Sequence, residues 1–395
     1  MKNRAKIIIL SQNGRKRNEK TYFLSKYPRK TWIFIFRILI LRFKVLEENQ
    51  NMEQKKRIIF VVNPISGTNG KEAILRLIEN LLDHSRYEYT IRKTQYAGHA
   101  TEIAAQAVSE QADMVVAIGG DGTINEIGRA LIQSQTALGI IPCGSGNGLA
   151  RHLHIPLDPK KAIQILNVGI TKNIDYGIID GHPFFCTCGV GFDAFVSLKF
   201  ADSGRRGLLT YLENTLHESL TYRPETYEIE NSTGTVRYKA FLIACANASQ
   251  YGNNAYIAPQ ASLTDGMMDI TVLEPFTVLD VPSLSFQLFN KTIDQNSRIK
   301  TMRDDRIVIH RTQEGVFHFD GDPAMGGKDL EVQIVHQGLK VIAPMNPKQL
   351  YEQPTSILQH VTEFIGKRPI TSSLAQKHRQ LLTLNQNLLR RLSKK

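Results

Sequence analysis

Cysteine is scarce in this 395-residue chain, and the four present (Cys143, Cys186, Cys188 and Cys245) form no CxxC pair and no zinc-ligand spacing. That excludes a disulfide framework and a zinc-ligand set, and it fits a reduced, cytosolic protein with free thiols. Cys186 and Cys188 alternate within a strand-like run and read as small apolar core residues on one face. Long apolar runs are also missing. The densest, Thr31 to Leu46, is broken by Arg37 and Arg42 and falls short of the ~20 residues a spanning helix needs. No small-residue cleavage site follows it, which removes a secretory signal; an interfacial anchor stays compatible. Acidic residues are outnumbered 37 to 49, but the net charge of +12 sits at the ends: +10 over residues 1–52, +7 over 347–395 and −5 between them. A near-neutral middle excludes nucleic-acid binding in any simple sense, and basic ends suit a protein that visits an anionic membrane surface. No internal repeat is evident.

Periodicity divides the chain. Strand-like runs at Arg57–Val62, Glu88–Lys93, Met114–Ile118 and Leu138–Ile141 alternate with helical stretches at Lys71–Asp83, Gly98–Gln111 and Asn125–Gln133. Repeated βα units of this kind predict a parallel sheet covered on both faces, a Rossmann-like three-layer α/β/α arrangement. Beyond about Asp175 the runs become short, alternating and closely spaced: Ile174–Ile179, Phe184–Val190, Tyr227–Glu230, Thr235–Ala246, Met268–Leu273, Arg306–Arg311, Val316–Phe319, Leu330–His336 and Leu339–Ile342. They predict an antiparallel β-sandwich, with helices near Leu208–Leu220 and Val278–Lys291. The expected organisation is therefore four segments. Residues 1–52 are a basic leader outside the fold, because Met52-Glu53-Gln54-Lys55-Lys56-Arg57 runs straight into the first strand. Residues 53–173 form an α/β nucleotide-binding domain. Residues 174–346 form a mainly β substrate domain whose last strands can return to the first, with the active-site cleft between the two. Residues 347–395 form a basic tail, helical from Leu374 to Leu392.

Three glycine-bearing loops follow strands of the first domain. Asn63-Pro64-Ile65-Ser66-Gly67-Thr68-Asn69-Gly70-Lys71 leaves the first strand, Gly119-Gly120-Asp121-Gly122-Thr123-Ile124-Asn125-Glu126 the third, and Gly144-Ser145-Gly146-Asn147-Gly148 the fourth. All three fall at the carboxyl edge of one parallel sheet, where ligands bind. A glycine turn that opens a helix frees backbone N–H groups and adds the positive end of the helix dipole, so it suits an anion. Asp121 inside such a turn would repel a bare phosphate, which points to a nucleotide polyphosphate carried with Mg²⁺. The first loop is not a Walker A loop, since its glycine spacing is too short and no Ser or Thr follows Lys71. The third lacks the full G-x-G-x-x-G spacing and follows the fourth strand rather than the first, which argues against a dinucleotide-dependent oxidoreductase.

Asn63-Pro-Ile-Ser-Gly67, Thr94 with Gly98-His99-Ala100, Gly119 to Glu126, Gly144 to Arg151, Leu263-Thr-Asp265-Gly-Met267-Met-Asp269 and Phe319-Asp320-Gly321-Asp322-Pro323 resemble, in order and spacing, the motifs of the diacylglycerol kinase catalytic-domain family, which includes sphingosine kinases and soluble bacterial lipid kinases. The resemblance spans about Lys56 to Pro344 and reaches neither end. It implies an α/β nucleotide domain with a β-sandwich domain, ATP and Mg²⁺ as cofactors, and a lipid alcohol as acceptor. It implies nucleotide contacts from Asn63, Pro64, Ser66, Gly67, Thr94, Gly119, Gly120, Asp121, Gly122, Thr123, Asn125, Glu126, Gly144, Ser145, Gly146 and Asn147. It also implies a second, structural Mg²⁺ held by Asp265 with the carbonyls of Ser262 and Met267.

Phosphoryl transfer to an alcohol requires a triphosphate cradle, a metal to neutralise charge and a base near the hydroxyl. The loops supply the cradle and Asp121 the carboxylate for Mg²⁺. By resemblance to sphingosine kinases Asp121 could equally be the base. Asp320 and Asp322 flank Gly321, and bacterial members carry Asp-Gly-Glu there, with the base role on its acidic residues. Asp322 shortens that reach by one methylene, so the base stays open among Asp320, Asp322 and Asp121. NAD kinases share the GGDG turn and following Asn-Glu and are the nearest alternative; the Asn-Pro-x-Ser-Gly loop and the Asp-Gly-Asp motif favour the lipid family. The expected protein is an ATP-dependent lipid kinase, cytoplasmic and peripheral at an anionic membrane, acting on diacylglycerol, a sphingoid base or another lipid alcohol, with no nucleic-acid partner and with a homodimer left open.

Overall fold

Residues buried on both faces set the centre of the first sheet. The computed structural model describes residues 55–64, 70–203 and 222–345, together with two paired dipeptides, Lys6–Ile7 and Tyr22–Phe23. The leader's apolar run, Ser66 to Asn69, the expected helix Leu208–Leu220 and the tail from residue 346 lie outside the described residues. Strands β1 (Lys56–Val62), β3 (Met114–Gly119) and β4 (Ala137–Pro142) are near-continuous Val, Ile and Ala runs buried along most of their length, as central parallel strands require. β2 (Tyr87–Lys93) alternates buried and exposed positions because it is the edge. The parallel order is β2-β1-β3-β4, so the strand order reverses between β1 and β3. Helix α1 (Lys71–Leu81) packs with α5 (Pro159–Val168), and α2 (His99–Ser109) packs with α3 (Asp121–Leu131). A short α4 (Gly148–His152) follows the third loop. α5 is absent from the sequence reading above, although Asp158 and Pro159 mark its start. The Asp158 carboxylate accepts from the Lys160 and Lys161 amides at 2.7 and 3.4 Å, with Pro159 at the first helical position, the usual signature of a helix entry.

The second half is antiparallel. β5 (Ile170–Ile179), β6 (His182–Phe184), β8 (Glu225–Asn231), β9 (Gly234–Ala240), β13 (Arg306–Arg311) and β16 (Asp329–Ala343) extend the first sheet to ten strands. A separate six-stranded sheet runs in the order β12 (Ile299–Asp304), β11 (Met268–Leu273), β10 (Leu242–Ala246), β7 (Thr187–Gly191), β14 (Gly315–Phe319), β15 (Asp322–Gly326). Side chains from both sheets, among them Phe184, Cys188, Ile243, Ile270, Ile309, Phe317 and Val332, fill the core between them. The outer face of the smaller sheet is covered by α6 (Phe192–Ser203) and α7 (Val281–Phe289) around Phe192, Phe241 and Leu284.

β16 joins the halves. Its beginning pairs antiparallel with β13, most of its length with β5, and Val341 sits beside Leu138 of β4 in parallel register. Residue 173, where the sequence suggests a domain boundary, lies inside β5. The two strands expected at Leu330–His336 and Leu339–Ile342 are one strand with an irregularity between Val335 and Leu339. There the buried Asp175 accepts the Gln337 amide at 2.7 Å, at a residue with φ +52°. Conversely, the expected run Thr235–Ala246 is two strands in different sheets, β9 and β10, and the run Phe184–Val190 splits between β6 and β7. Cys186 therefore lies before β7, while Cys188 alone of that pair enters the intersheet core.

Candidate functional site

The loops after β3 and β4 meet beside the point where the strand order reverses, and Asn63, where the chain leaves β1, joins them. Their meeting is backbone on backbone. A Cβ on Gly144 would lie 2.6 Å from the Gly120 Cα, and one on Gly146 would lie 2.6 Å from Asp121 Oδ2; glycine is what permits this approach. The Cys143 amide donates to the Gly119 carbonyl at 2.7 Å, and Asn63 Nδ2 donates to Thr123 Oγ1 at 3.1 Å. Thr94, buried at the end of β2, donates its amide to the Val62 carbonyl at 2.9 Å.

Asp121 is the first residue of α3, so the helix begins four residues earlier than its periodicity suggests. Its carboxylate accepts the Asn147 amide at 2.8 Å through Oδ2 and the Gly148 amide at 2.7 Å through Oδ1. It thus caps α4 and ties the second loop to the third. Burial raises its pKa, while those two amides and Arg151 pull it down. Asn147, with φ +53°, closes its own loop by accepting from the Gly144 amide at 3.1 Å and donating to the Gly144 carbonyl at 2.8 Å. Glu126 turns away from the loops: its Oε2 accepts the Ala100 amide at 3.1 Å at the start of α2. Asn125 is buried, Ser145 and Gly122 are exposed, and Pro64 borders the loop at the surface. Ser66 and Gly67 lie outside the described residues.

A cavity of about 400 Å³ opens between the start of α1 and the loop after β4, lined by Lys71, Ile74, Leu77, Cys143, Ser145 and Arg151. Lys71 donates to the Asn63 carbonyl, and burial lowers its pKa. Arg151 donates through Nε to the Gly146 carbonyl at 2.9 Å and through Nη1 to Asn254 Oδ1 at 3.2 Å. Asn253 sends its amide to the same Gly146 carbonyl at 3.0 Å. The loop after β10 is therefore fastened onto the third glycine loop.

On the antiparallel side, Asp320 and Gly321 are the two-residue loop of the β14–β15 hairpin, with φ of +52° and +89° and Phe319 paired to Asp322. Two left-handed residues match the hairpin's twist. The Asp320 carboxylate accepts three backbone amides, from Phe185 at 2.7 Å, Cys186 at 2.7 Å and Thr187 at 3.0 Å. Burial nevertheless outweighs these donors and pushes its pKa up to about 6. Asp322 is exposed, and its Oδ2 pairs with Arg129 Nη2 at 3.0 Å. Arg129 projects from α3 and stacks over Phe319 with its guanidinium 4.8 Å from the ring centroid. The Cys186 thiol is driven well above its usual range by burial, then by the charges of Asp320 and Asp121. Its sulfur lies against Gly148, where a Cβ would be 3.3 Å away, and the Gly148 amide is the one that Asp121 Oδ1 accepts. Behind Asp320, buried His318 bonds through Nε2 to Asp193 Oδ2 at 3.0 Å, which also accepts the Tyr251 hydroxyl at 3.2 Å.

The metal expectations separate. A Mg²⁺ that travels with phosphates keeps several waters and needs one or two carboxylates. Asp121 fits that requirement, since each oxygen accepts a single backbone amide. The second expected site does not fit. Asp265 accepts the Met267 amide through Oδ1 at 3.2 Å and pairs through Oδ2 with Arg303, so both of its oxygens are already engaged. Arg129, Lys71, Cys143, Arg151, Asn253 and Asn254 belong to this region and were not assigned to it from sequence. Arg129, Asn253 and Asn254 act through partners more than 100 residues away, namely Asp322, Gly146 and Arg151, whereas Lys71, Cys143 and Arg151 lie within or beside the glycine loops.

Comparison with known proteins bears on the fold and the family. Residues 57–179 match the diacylglycerol kinase catalytic domain, and residues 186–343 match the YegS C-terminal NAD kinase beta sandwich-like domain. The chain is 27% identical over 277 residues to "Diacylglycerol kinase" of Bacillus subtilis, covering 68% of this chain and 90% of that protein. It is 27% identical over 285 residues to "Probable lipid kinase YegS-like" of Klebsiella pneumoniae, covering 71% and 94%. A crystal structure of a diacylglycerol kinase from Bacillus anthracis aligns with a TM-score of 0.59 at 18% identity, covering 74% of this chain and 98% of that one. A second structure from that organism aligns at 0.61 and 20%, covering 74% and 96%. These likenesses establish the α/β domain and antiparallel sandwich as the shared fold.

Proposed function

Because this chain belongs to the diacylglycerol kinase catalytic-domain family, we propose that it transfers the γ-phosphoryl group of ATP to the hydroxyl of a lipid alcohol such as diacylglycerol or a sphingoid base. The observation that carries this reading is the place of Cys186 between the two halves of the site. Its amide donates to Asp320 Oδ1 at 2.7 Å. Its sulfur lies against Gly148, where a Cβ would be 3.3 Å away, and the Gly148 amide donates to Asp121 Oδ1 at 2.7 Å. That arrangement brings the glycine loops and the Asp-Gly-Asp hairpin to one place. The 400 Å³ cavity beside Lys71 and the loop after β4 is the seat for the nucleotide, with its phosphates toward the amides of the first turn of α3. Mg²⁺ bound with the nucleotide at Asp121 would neutralise charge developing on the phosphates.

Asp320 and Asp322 then divide the work. Asp320 holds three backbone amides and is the fixed anion that sets the hairpin. Asp322 has one oxygen on Arg129 and its side chain is exposed, so it is the group that takes the acceptor's proton. The hydroxyl oxygen forms the new bond to phosphorus, the proton passes to Asp322, and ADP leaves with the bridging oxygen. The basic segments 1–52 and 347–395 support contact with an anionic membrane on the cytoplasmic side.

The test is transfer of labelled γ-phosphate into an organic-extractable product, using a panel of lipid alcohols in mixed micelles with NAD⁺ as control. Label in one lipid, lost in Asp322→Asn, is the expected result. Label only in NADP⁺ would move the chain to a soluble-nucleotide role. No label in any acceptor would remove the kinase assignment.

A further inference from the structure

The turn between the loop after β10 and strand β11 carries two carboxylates, Asp265 and Asp269, and is closed by one cation from the chain itself. Strands β11 and β12 pair antiparallel with Asp269 directly opposite Arg303. That register fixes where the guanidinium lies. Arg303 Nη2 bonds to Asp265 Oδ2, and Nε stands 3.5 Å from Asp269 Oδ1. The remaining Asp265 oxygen accepts the Met267 amide. Gly266, at φ +72°, sends its amide to Asp175 at 2.7 Å, and Asp175 is fully buried.

A divalent cation at Asp265 would have to evict the guanidinium or sit beside it as a like charge. The planar fork also reaches two carboxylates at once, a bridging geometry that a lysine could not reproduce. We infer that Arg303 does in this chain what a structural Mg²⁺ is expected to do: it neutralises Asp265 and clamps the Ser262–Asp269 turn onto β12. This turn then needs no metal. Any Mg²⁺ requirement of the protein lies with the nucleotide, at the other end of the site. The inference concerns the turn alone and holds whatever the acceptor proves to be.

Thermal unfolding of the full-length protein without nucleotide, in EDTA and in millimolar MgCl₂, separates the possibilities. Wild type is expected to melt at the same temperature in both. Arg303→Met is expected to melt at least about 2 °C lower in EDTA and to regain much of that loss in MgCl₂, as the metal takes the vacated carboxylates. The recovery should vanish in the double variant with Asp265→Asn. A wild-type melting temperature raised by MgCl₂, with the rise abolished by Asp265→Asn alone, would overturn the inference. So would an Arg303→Met protein as stable as wild type in EDTA, or one that MgCl₂ does not rescue. The wild-type comparison stands even where the variant fails to fold.

Discussion

Arg129 and Asp322 face each other across the site at 3.0 Å, one on the helix that begins with the second glycine loop, the other on the first residue past the Asp320-Gly321 hairpin. They are 193 residues apart in sequence. The guanidinium fixes one oxygen of Asp322, a side chain one methylene shorter than the glutamate that the family resemblance leads one to expect there.

Removing the guanidinium should therefore alter catalysis more than stability. The pair is partly exposed, and such pairs contribute about 0–1 kcal/mol. Arg129→Gln should lower kcat for lipid by roughly tenfold or more, since a positioned base contributes about 10²–10⁴ in rate. Its ATP affinity should be nearly unchanged, and Arg129→Lys should recover part of the rate. Steady-state kinetics with a nucleotide-binding titration would check this; an unaltered kcat in Arg129→Gln would remove Asp322 from the proton transfer.

Asp320 predicts an acid limit. Its pKa is raised to about 6 by burial. On lowering the pH through 6 the carboxylate gains a proton, weakens its hold on the amides of residues 185–187 and should take activity with it. Stability moves the other way. A carboxyl whose folded pKa exceeds its unfolded one favours the folded state most below the unfolded value, and that contribution is lost as pH rises through about 6. Asp320→Asn should flatten both trends between pH 4 and 6. It also sets an NH₂ donor against a backbone amide, at about 1–3 kcal/mol. Melting curves of both proteins across that interval provide the check, and parallel pH profiles would show that Asp320 is not the titrating group.

The contact of Gly144 with Gly120 leaves no space for a side chain. A Cβ at Gly144 would sit 2.6 Å from the Gly120 Cα, which is backbone, and 3.0 Å from Asn147 Oδ1, which the Gly144 amide holds in place. Gly144→Ala should cost about 1–3 kcal/mol and separate the second and third loops. ATP binding should fall well beyond what the loss of stability explains. Calorimetric titration at a temperature where the variant is folded would measure it; wild-type affinity would mean that the loops bind nucleotide independently.

The sheet and the loops were legible in sequence because their signals are local. Val and Ile runs mark β1, β3 and β4, and glycine clusters follow each of them. Asp320 was legible as a motif, yet its surroundings were not: its partners are the amides of residues 185–187, and backbone leaves no mark in sequence. The single strand β16 read as two because Gln337 and Gly338 interrupt its apolar pattern, while the pairing with β5 that carries it across the interruption has no mark in sequence. Arg303 was invisible for the same reason. Nothing near it suggests a site, and only the register of β11 on β12 carries it to Asp265.

Cys143 offers a test of the nucleotide seat that needs no substrate. It is half-buried and lines the cavity beside Lys71, whereas Cys186, Cys188 and Cys245 are buried. Burial raises the Cys143 thiol above its usual range and Lys71 draws it part of the way back. A small alkylating reagent should therefore modify one cysteine among the described residues first, slowly at neutral pH and faster as pH rises, because the thiolate is the reacting form. Lys71→Met should slow it further. ATP at ten times its dissociation constant leaves about one site in eleven empty, so alkylation should slow about tenfold. Peptide mapping by mass spectrometry would locate the adduct and time its appearance. If saturating ATP leaves the rate at Cys143 unchanged, the nucleotide does not occupy this cavity, and the glycine loops must bind it from another side.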